Sequence, residues 1–249
     1  MKKAPQAKAN RRLVLQVSID SGKRGRTMFS YIPELYEASA ERARLYAART
    51  GADYLAIHAP RLQICRAHPA WQRFVMFEPE FDYYNQILYL DSDVLVRSDA
   101  PDIFEAYPLE GFYAVPVLSS DPSPEKRRLD SIREQCELFG LDIDQYFNTG
   151  VILVGVCTRK RIRSLDWPYK IIEYKGLNQP TFNKIVQNYI GLSIIDWRFN
   201  FLFKRENQED FIRQAYFIHF LGKALFDEEK WRNAVDWPRG PANLNFLDS

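Results

Sequence analysis

The stretch Gln86-Ile87-Leu88-Tyr89-Leu90-Asp91-Ser92-Asp93-Val94-Leu95-Val96 constrains this chain more than any other, because two carboxylates interrupt an otherwise continuous apolar, β-prone run. Such a run reads as a strand buried in a sheet core. If the chain stays extended through it, Asp91 and Asp93 point to one side and Ser92 to the other. Two like charges then share a small site, and burying them unpaired costs several kcal/mol or forces a proton onto one of them. A divalent cation removes both difficulties, and hard oxygen ligands of this kind suit magnesium or manganese. The plainer alternative is a strand end that has reached solvent, with Asp-Ser-Asp as a polar turn.

Other segments supply the sheet such a strand needs. Residues 13–19, 54–58, 112–117, 147–154, 192–195 and 216–220 read as strands, and β-branched and aromatic residues are frequent in them. Helical patterns cover 31–49, closed by Gly51 as a C-terminal cap, and 69–77, which carries Arg73 among aromatics. A further helix ends at Gly140, and Asn178-Gln179-Pro180 precedes another running to about Asn188, with the proline in its first turn. Strands alternating with helices predict a layered α/β sheet whose ligand crevice lies beyond the carboxyl ends of its strands. Gly150, at the head of a core strand, predicts a bulge or a close backbone approach. Residues 119–126, with two prolines, read as a mobile loop and a candidate lid. The loop after the first strand, 20–25, is basic and glycine-containing but has neither the Gly-x-Gly-x-x-Gly nor the Walker spacing.

The 249 residues, 46% hydrophobic, can bury a core sufficient for one large domain. Lys and Arg number 34 against 32 Asp and Glu, a balance that argues against nucleic acid as the main partner. Basic residues do cluster at Lys2, Lys3, Lys8, Arg11 and Arg12, at Lys23, Arg24 and Arg26, and at Arg159, Lys160, Arg161 and Arg163. They read as solvated surface, or as a peripheral contact with an anionic membrane face. Cys65, Cys136 and Cys157 are odd in number and lack metal-type spacing, which predicts free thiols in a reducing compartment and no zinc site. No run of about 18 apolar residues occurs, so no transmembrane segment is expected, and the chain reads as soluble and cytoplasmic.

Four segments in order resemble the retaining nucleotide-sugar transferases of glycosyltransferase family eight, typified by glycogenin and bacterial lipopolysaccharide galactosyltransferases. They are residues 87–96, Phe147-Asn148-Thr149-Gly150-Val151-Ile152-Leu153, Asn178-Gln179-Pro180-Thr181-Phe182-Asn183 and His219-Phe220-Leu221-Gly222. The resemblance spans roughly residues 12–231. It implies a GT-A fold, Rossmann-like, with a mixed, mostly parallel central sheet flanked by helices. It also implies a UDP-sugar donor, a carbohydrate, glycolipid or glycoprotein acceptor, and a bound manganese ion, or magnesium in its place. In this reading residues 1–11 form a disordered basic head, 12–235 a single catalytic domain and 236–249 an irregular tail.

Carried over by position, Asp91, Asp93 and His219 match the family's metal ligands, and Ser92 lies in the same donor-binding turn. Arg73 matches a basic residue on the diphosphate or sugar, while Asn148 matches an asparagine near the donor sugar. Gln179 matches a glutamine beneath the sugar's reactive face, and Gly222 a backbone approach to the phosphates. Ser18 and Asp20 fall where the family holds uracil and ribose. Two departures stand out. Asn178-Gln179 replaces the usual Asp-Gln, and Lys223 follows Gly222 at once instead of closing a Gly-x-x-Lys-Pro-Trp, with Lys230-Trp231 eight residues later. Lys223 is the preferred diphosphate contact. An amide at Gln179, flanked by Asn178, is a poor nucleophile, so the resemblance implies retention by front-face attack unless Asp142 or Asp144 swings in. Two other readings compete: a haloacid-dehalogenase phosphatase with Asp91 as nucleophile, Asp93 as acid and Asp142 and Asp144 after Gly140 as the nearest match to its downstream acidic pair, and a non-catalytic sugar-nucleotide-binding domain.

Overall fold

The computed structural model describes residues 10–20, 32–62, 69–120, 126–165, 178–204 and 208–221. Most of the expected head, the tail and the glycine-lysine segment from Gly222 onward lie outside them. The main sheet has six strands, in the order β2 (Asp53–Ile57), β1 (Arg12–Val17), β3 (Gln86–Asp91), β6 (Val151–Gly155), β5 (Phe112–Ala114) and β7 (Ser193–Ile194). Pairings β1–β2, β1–β3 and β5–β7 are parallel, whereas β6 runs antiparallel to both of its neighbours. A mostly parallel sheet flanked by helices is therefore what the sequence predicts and what forms.

Strand alternation sorts the core into two layers. Leu13, Leu15, Ile87, Tyr89, Ile152 and Val154 face one side with Phe74, Phe77 and Phe182, while Val14, Leu88, Leu90, Val151 and Leu153 face the other with Ala43, Tyr46 and Ala47 of the helix Pro33–Arg49. That helix closes at Gly51, whose φ of 64° is the left-handed conformation a C-terminal cap requires. Phe182, fully buried, packs its ring against Phe74, Phe77, Phe112 and Phe147. It pins the helix Asn178–Ile185 to the sheet, and truncating a phenylalanine so placed costs about 3–5 kcal/mol.

The central run does not stay extended, which corrects the sequence reading. Ser92 and Asp93 form a turn, and the chain leaves the main sheet for β4 (Val94–Val96), which joins β9 (Phe217–Phe220) and β8 (Phe201–Phe203) in a second sheet, ordered β4-β9-β8. The turn is held from beneath. Gln16 Nε2 donates to the Asp91 carbonyl at 3.3 Å and to Ser39 Oγ at 2.9 Å, and Ser39 Oγ donates to the Val94 carbonyl at 2.6 Å. Two polar side chains thus satisfy carbonyls that the sheet ladders leave unpaired where one sheet hands over to the other. Ser119 and Ser120, expected in a loop, belong to a helical turn, Val117–Ser120; residues 121–125 are not among those described.

Candidate active site

Parallel pairing of β1 with β3 sets Val17 beside Asp91, which places Asp91 at the carboxyl ends of the strands. It shares its face with Tyr89, so it meets what packs on that face. The Tyr89 hydroxyl donates to Asp91 Oδ1 at 2.6 Å, and Arg73 Nη2 lies 3.3 Å from the same oxygen. Arg73 is only 6% exposed. Its Nε donates to the Ala70 carbonyl at 2.8 Å, and its Nη1 to the Thr149 carbonyl at 2.8 Å and to the Thr149 hydroxyl. Burial alone would lower the pKa of this guanidinium, but the charges of Asp91, Tyr89 and Asp93 outweigh it and raise the value. Arg73 thereby ties Asp91 to the segment that precedes β6.

The second sheet supplies the rest of the acidic cluster. Antiparallel pairing sets Val94 opposite His219, and the Phe220 amide donates to the Asp93 carbonyl at 3.1 Å, so His219 emerges beside Asp93. His219 Nε2 is 3.2 Å from Asp93 Oδ1 and 4.0 Å from Asp91 Oδ2. One ligand atom from each of Asp91, Asp93 and His219 lies within 4.8 Å of the others. Asp93 Oδ1 is buried and has no aligned hydrogen-bond donor, an orphaned acceptor of the kind a cation would satisfy. Two carboxylates and an imidazole fit a divalent ion of the manganese type. For His219, burial lowers the pKa, but Asp93, then Asp91, more than reverse this and hold it above the ordinary value of 6.5.

Beside this cluster stands a group of amides. Asn148 is 8% exposed; its Oδ1 accepts from the Gly150 amide at 2.9 Å, and its Nδ2 donates to Gln179 Oε1 at 3.5 Å. Asn183, fully buried one turn along from Gln179, donates to the Phe147 carbonyl at 3.0 Å and accepts from the Phe147 amide at 2.8 Å. It clamps the Gln179 helix to the Asn148 segment. Gln179 also hydrogen-bonds the Tyr146 hydroxyl, which donates to Gln135 Oε1 at 2.8 Å. Gly150 is the close approach expected of it: its amide neighbour across the ladder is Asp91, whose N–H donates to the Gly150 carbonyl at 2.7 Å, and a Cβ at Gly150 would stand 2.6 Å from His219 Nδ1.

Ser18 is buried directly after β1, and Asp20, two residues further on, is exposed. Ser92 forms the turn between the two carboxylates. Asn178 opens the helix that carries Gln179, but its side chain is outside the described residues, as are Gly222, Lys223 and Lys230. Asp142 is engaged elsewhere: it caps a helical turn, accepting from the Asp144 amide at 2.9 Å and from Gln145 Nε2 at 3.1 Å. Sequence reasoning assigned no part to Asn200, Tyr146 or Gln16. The one available signal was Asn200 as a lone amide within the aromatic run Trp197-Arg198-Phe199-Asn200-Phe201.

A mostly parallel central sheet flanked by helices is the architecture of GT-A glycosyltransferases, and the similar solved structures share that fold. The galactosyltransferase LgtC, solved with donor and acceptor sugar analogues, superposes with a TM-score of 0.53 at 15% identity, over 90% of this chain and 95% of that one. A glycosyltransferase involved in glycosylation of the major capsid of PBCV-1 gives 0.51 at 15% identity, over 84% and 92%. GlyE of Streptococcus pneumoniae gives 0.51 at 16% identity, over 95% of this chain and 62% of its own. Residues 28–224 match the family described as Glycosyl transferase family 8, and the chain belongs to that family. The phosphatase reading falls with this assignment. No curated protein sequence matches the chain.

Proposed function

We propose that this enzyme transfers a hexose, with glucose and galactose first among the candidates, from a UDP-sugar to an acceptor hydroxyl with retention at the anomeric carbon. The acceptor is a carbohydrate or a glycosylated lipid or protein. The observation that carries the reading is the convergence of Asp91, Asp93 and His219 within 4.8 Å from two different sheets. These residues would hold manganese, or magnesium. Bound there, the ion would supply positive charge for the diphosphate leaving group.

The chain's own residues account for the rest. Ser18 and Asp20, which follow β1 where Val17 pairs with Asp91, would bind the nucleoside. Arg73 holds Asp91 and adds positive charge next to the diphosphate position. Gln179 offers its carbonyl to the sugar as positive charge develops there, with Asn148 fixing its orientation. Gln179 and its partner Asn148 are neutral amides and poor nucleophiles, which favours front-face attack in which the leaving diphosphate oxygen takes the acceptor's proton. Asn178 bears on the donor sugar, and Lys223 on the diphosphate. Among the described residues Cys136 and Cys157 are free thiols, which agrees with a reducing, cytoplasmic setting. No helix among the described residues is long and apolar enough to cross a membrane.

The test has two parts. Calorimetry with UDP and manganese should show metal-dependent binding that Asp93→Ala abolishes in a folded protein; unchanged affinity would remove the ligand assignment. Proton NMR of the first-formed product should show retained anomeric configuration, and inversion would end the mechanism.

A further inference from the structure

The buried amides also carry information that runs in one direction. A backbone N–H can only donate, so the oxygen of Asn148 must be the atom facing the Gly150 amide at 2.9 Å. That oxygen also faces Asn200 at 3.2 Å, so Asn200 must present its NH2 there, and its own oxygen must face His219 Nδ1, also at 3.2 Å. A carbonyl oxygen cannot donate, so Nδ1 carries the hydrogen. The side-chain orientations therefore follow from a single main-chain group and need no separate assignment. Asn200 is fully buried, and both ends of its amide are committed.

We propose that Asn200 is a positioning residue that holds His219 in the Nδ1–H tautomer, keeping the Nε2 lone pair turned toward Asp91 and Asp93. The inference rests on the proposed metal role of His219. A metal-ligating imidazole depends on the partner of its other nitrogen for tautomer and aim, and losing such a partner costs roughly 10- to 100-fold in metal affinity. The relay has a second arm. With its oxygen committed to Gly150 and Asn200, Asn148 turns its NH2 toward Gln179 Oε1, so the same main-chain amide orders both the candidate metal ligand and the candidate catalytic amide.

Two variants separate the arms. Asn200→Ala removes the acceptor for Nδ1–H. Asn200→Asp keeps an acceptor for His219 but presents oxygen to the Asn148 oxygen, so only the Gln179 arm is disturbed. Nitrogen-15 NMR of histidine-labelled, metal-free protein at alkaline pH reads the tautomer directly, and with three histidines in the chain the signals are few. The expected result is Nδ1–H in the parent and in Asn200→Asp, with a shift toward Nε2–H in Asn200→Ala. Manganese binding in the presence of UDP, followed by electron paramagnetic resonance, should weaken roughly 10- to 100-fold in Asn200→Ala and stay within a few-fold in Asn200→Asp. If Asn200→Ala does not fold, Asn200→Asp alone decides: loss of its manganese affinity, or of its Nδ1–H tautomer, overturns the proposal. An unchanged tautomer and affinity in folded Asn200→Ala overturns it equally. Failure of the parent to bind manganese would instead defeat the metal reading while leaving the tautomer result to judge the relay.

Discussion

Gly150→Ala adds one methyl group and tests how tightly the two halves of the site are fitted together. The new Cβ would stand 2.6 Å from His219 Nδ1, closer still to the ring Cε1, and 3.0 Å from Asn148 Oδ1. Non-bonded heavy atoms settle near 3.5 Å, so the imidazole must retreat by about 1 Å. It has little room, being 2% exposed, bonded to Asn200 and backed by β4. Overpacking of this kind costs about 1–3 kcal/mol, and for a chain this long each kcal/mol lowers Tm by about 2–4 °C. The larger effect falls on metal. Ligand distances tolerate about 0.2 Å, so a ring displaced by about 1 Å no longer ligates. Affinity for manganese with UDP should drop at least about 100-fold, equivalent to about 2.7 kcal/mol. Differential scanning calorimetry and titration calorimetry read the two effects separately. A folded variant with the parent's Tm and the parent's manganese affinity would refute both the close approach and the ligand role of His219.

Manganese affinity should also depend on pH in a direction fixed by His219. Its pKa stands above 6.5, so below that raised value a proton occupies the nitrogen the metal needs; affinity therefore rises as pH climbs through it and levels off beyond, and titrations at several pH values should show one proton released per ion bound at the acid end. Gln179→Ala should slow transfer markedly while leaving UDP affinity intact, because nothing places the amide against the nucleotide; equal losses in both would show that it binds donor generally. Arg73→Met leaves the Thr149 carbonyl without its donor and Asp91 without its cation, and should destabilise the fold by about 3–5 kcal/mol, measured by urea denaturation. A loss below about 1 kcal/mol would mean that solvent replaces the guanidinium.

Most of the sheet was legible because its strands are short apolar runs whose alternation and spacing survive in the sequence. The helix ends at Gly51 and Gly140 were legible for the same local reason. The turn at Ser92 stood only as the plainer alternative to a continuous strand, because the residues on both sides are equally β-prone and only the pairing of Val94 with His219, 125 positions away, decides that a second sheet begins there. Local preference carries no such long-range term. The acidic pair announced itself as charge in an apolar run. His219 alone on an apolar strand gave no such signal and needed the resemblance. Asn200 was overlooked because a single buried amide looks like any other polar residue until its partners are known, and those partners, Asn148 and His219, come from two other segments of the chain.

The turn that joins the sheets has an architectural consequence. Asp91 closes one sheet and Val94 opens the other, yet only Ser92 and Asp93 separate them, so the Cα atoms of Asp91 and Val94 stay within about 10 Å of one another. The width of the crevice at this point is thus metered by covalent length and not by the packing of the layers around it. Core residues can exchange for others of similar bulk, and the two sheets can shift slightly with them, without spreading the carboxylates. A single inserted residue at Ser92 would undo what many core substitutions could not. The chain acts here as its own calliper, which leaves the surrounding sequence free to diverge while the spacing of the site is kept.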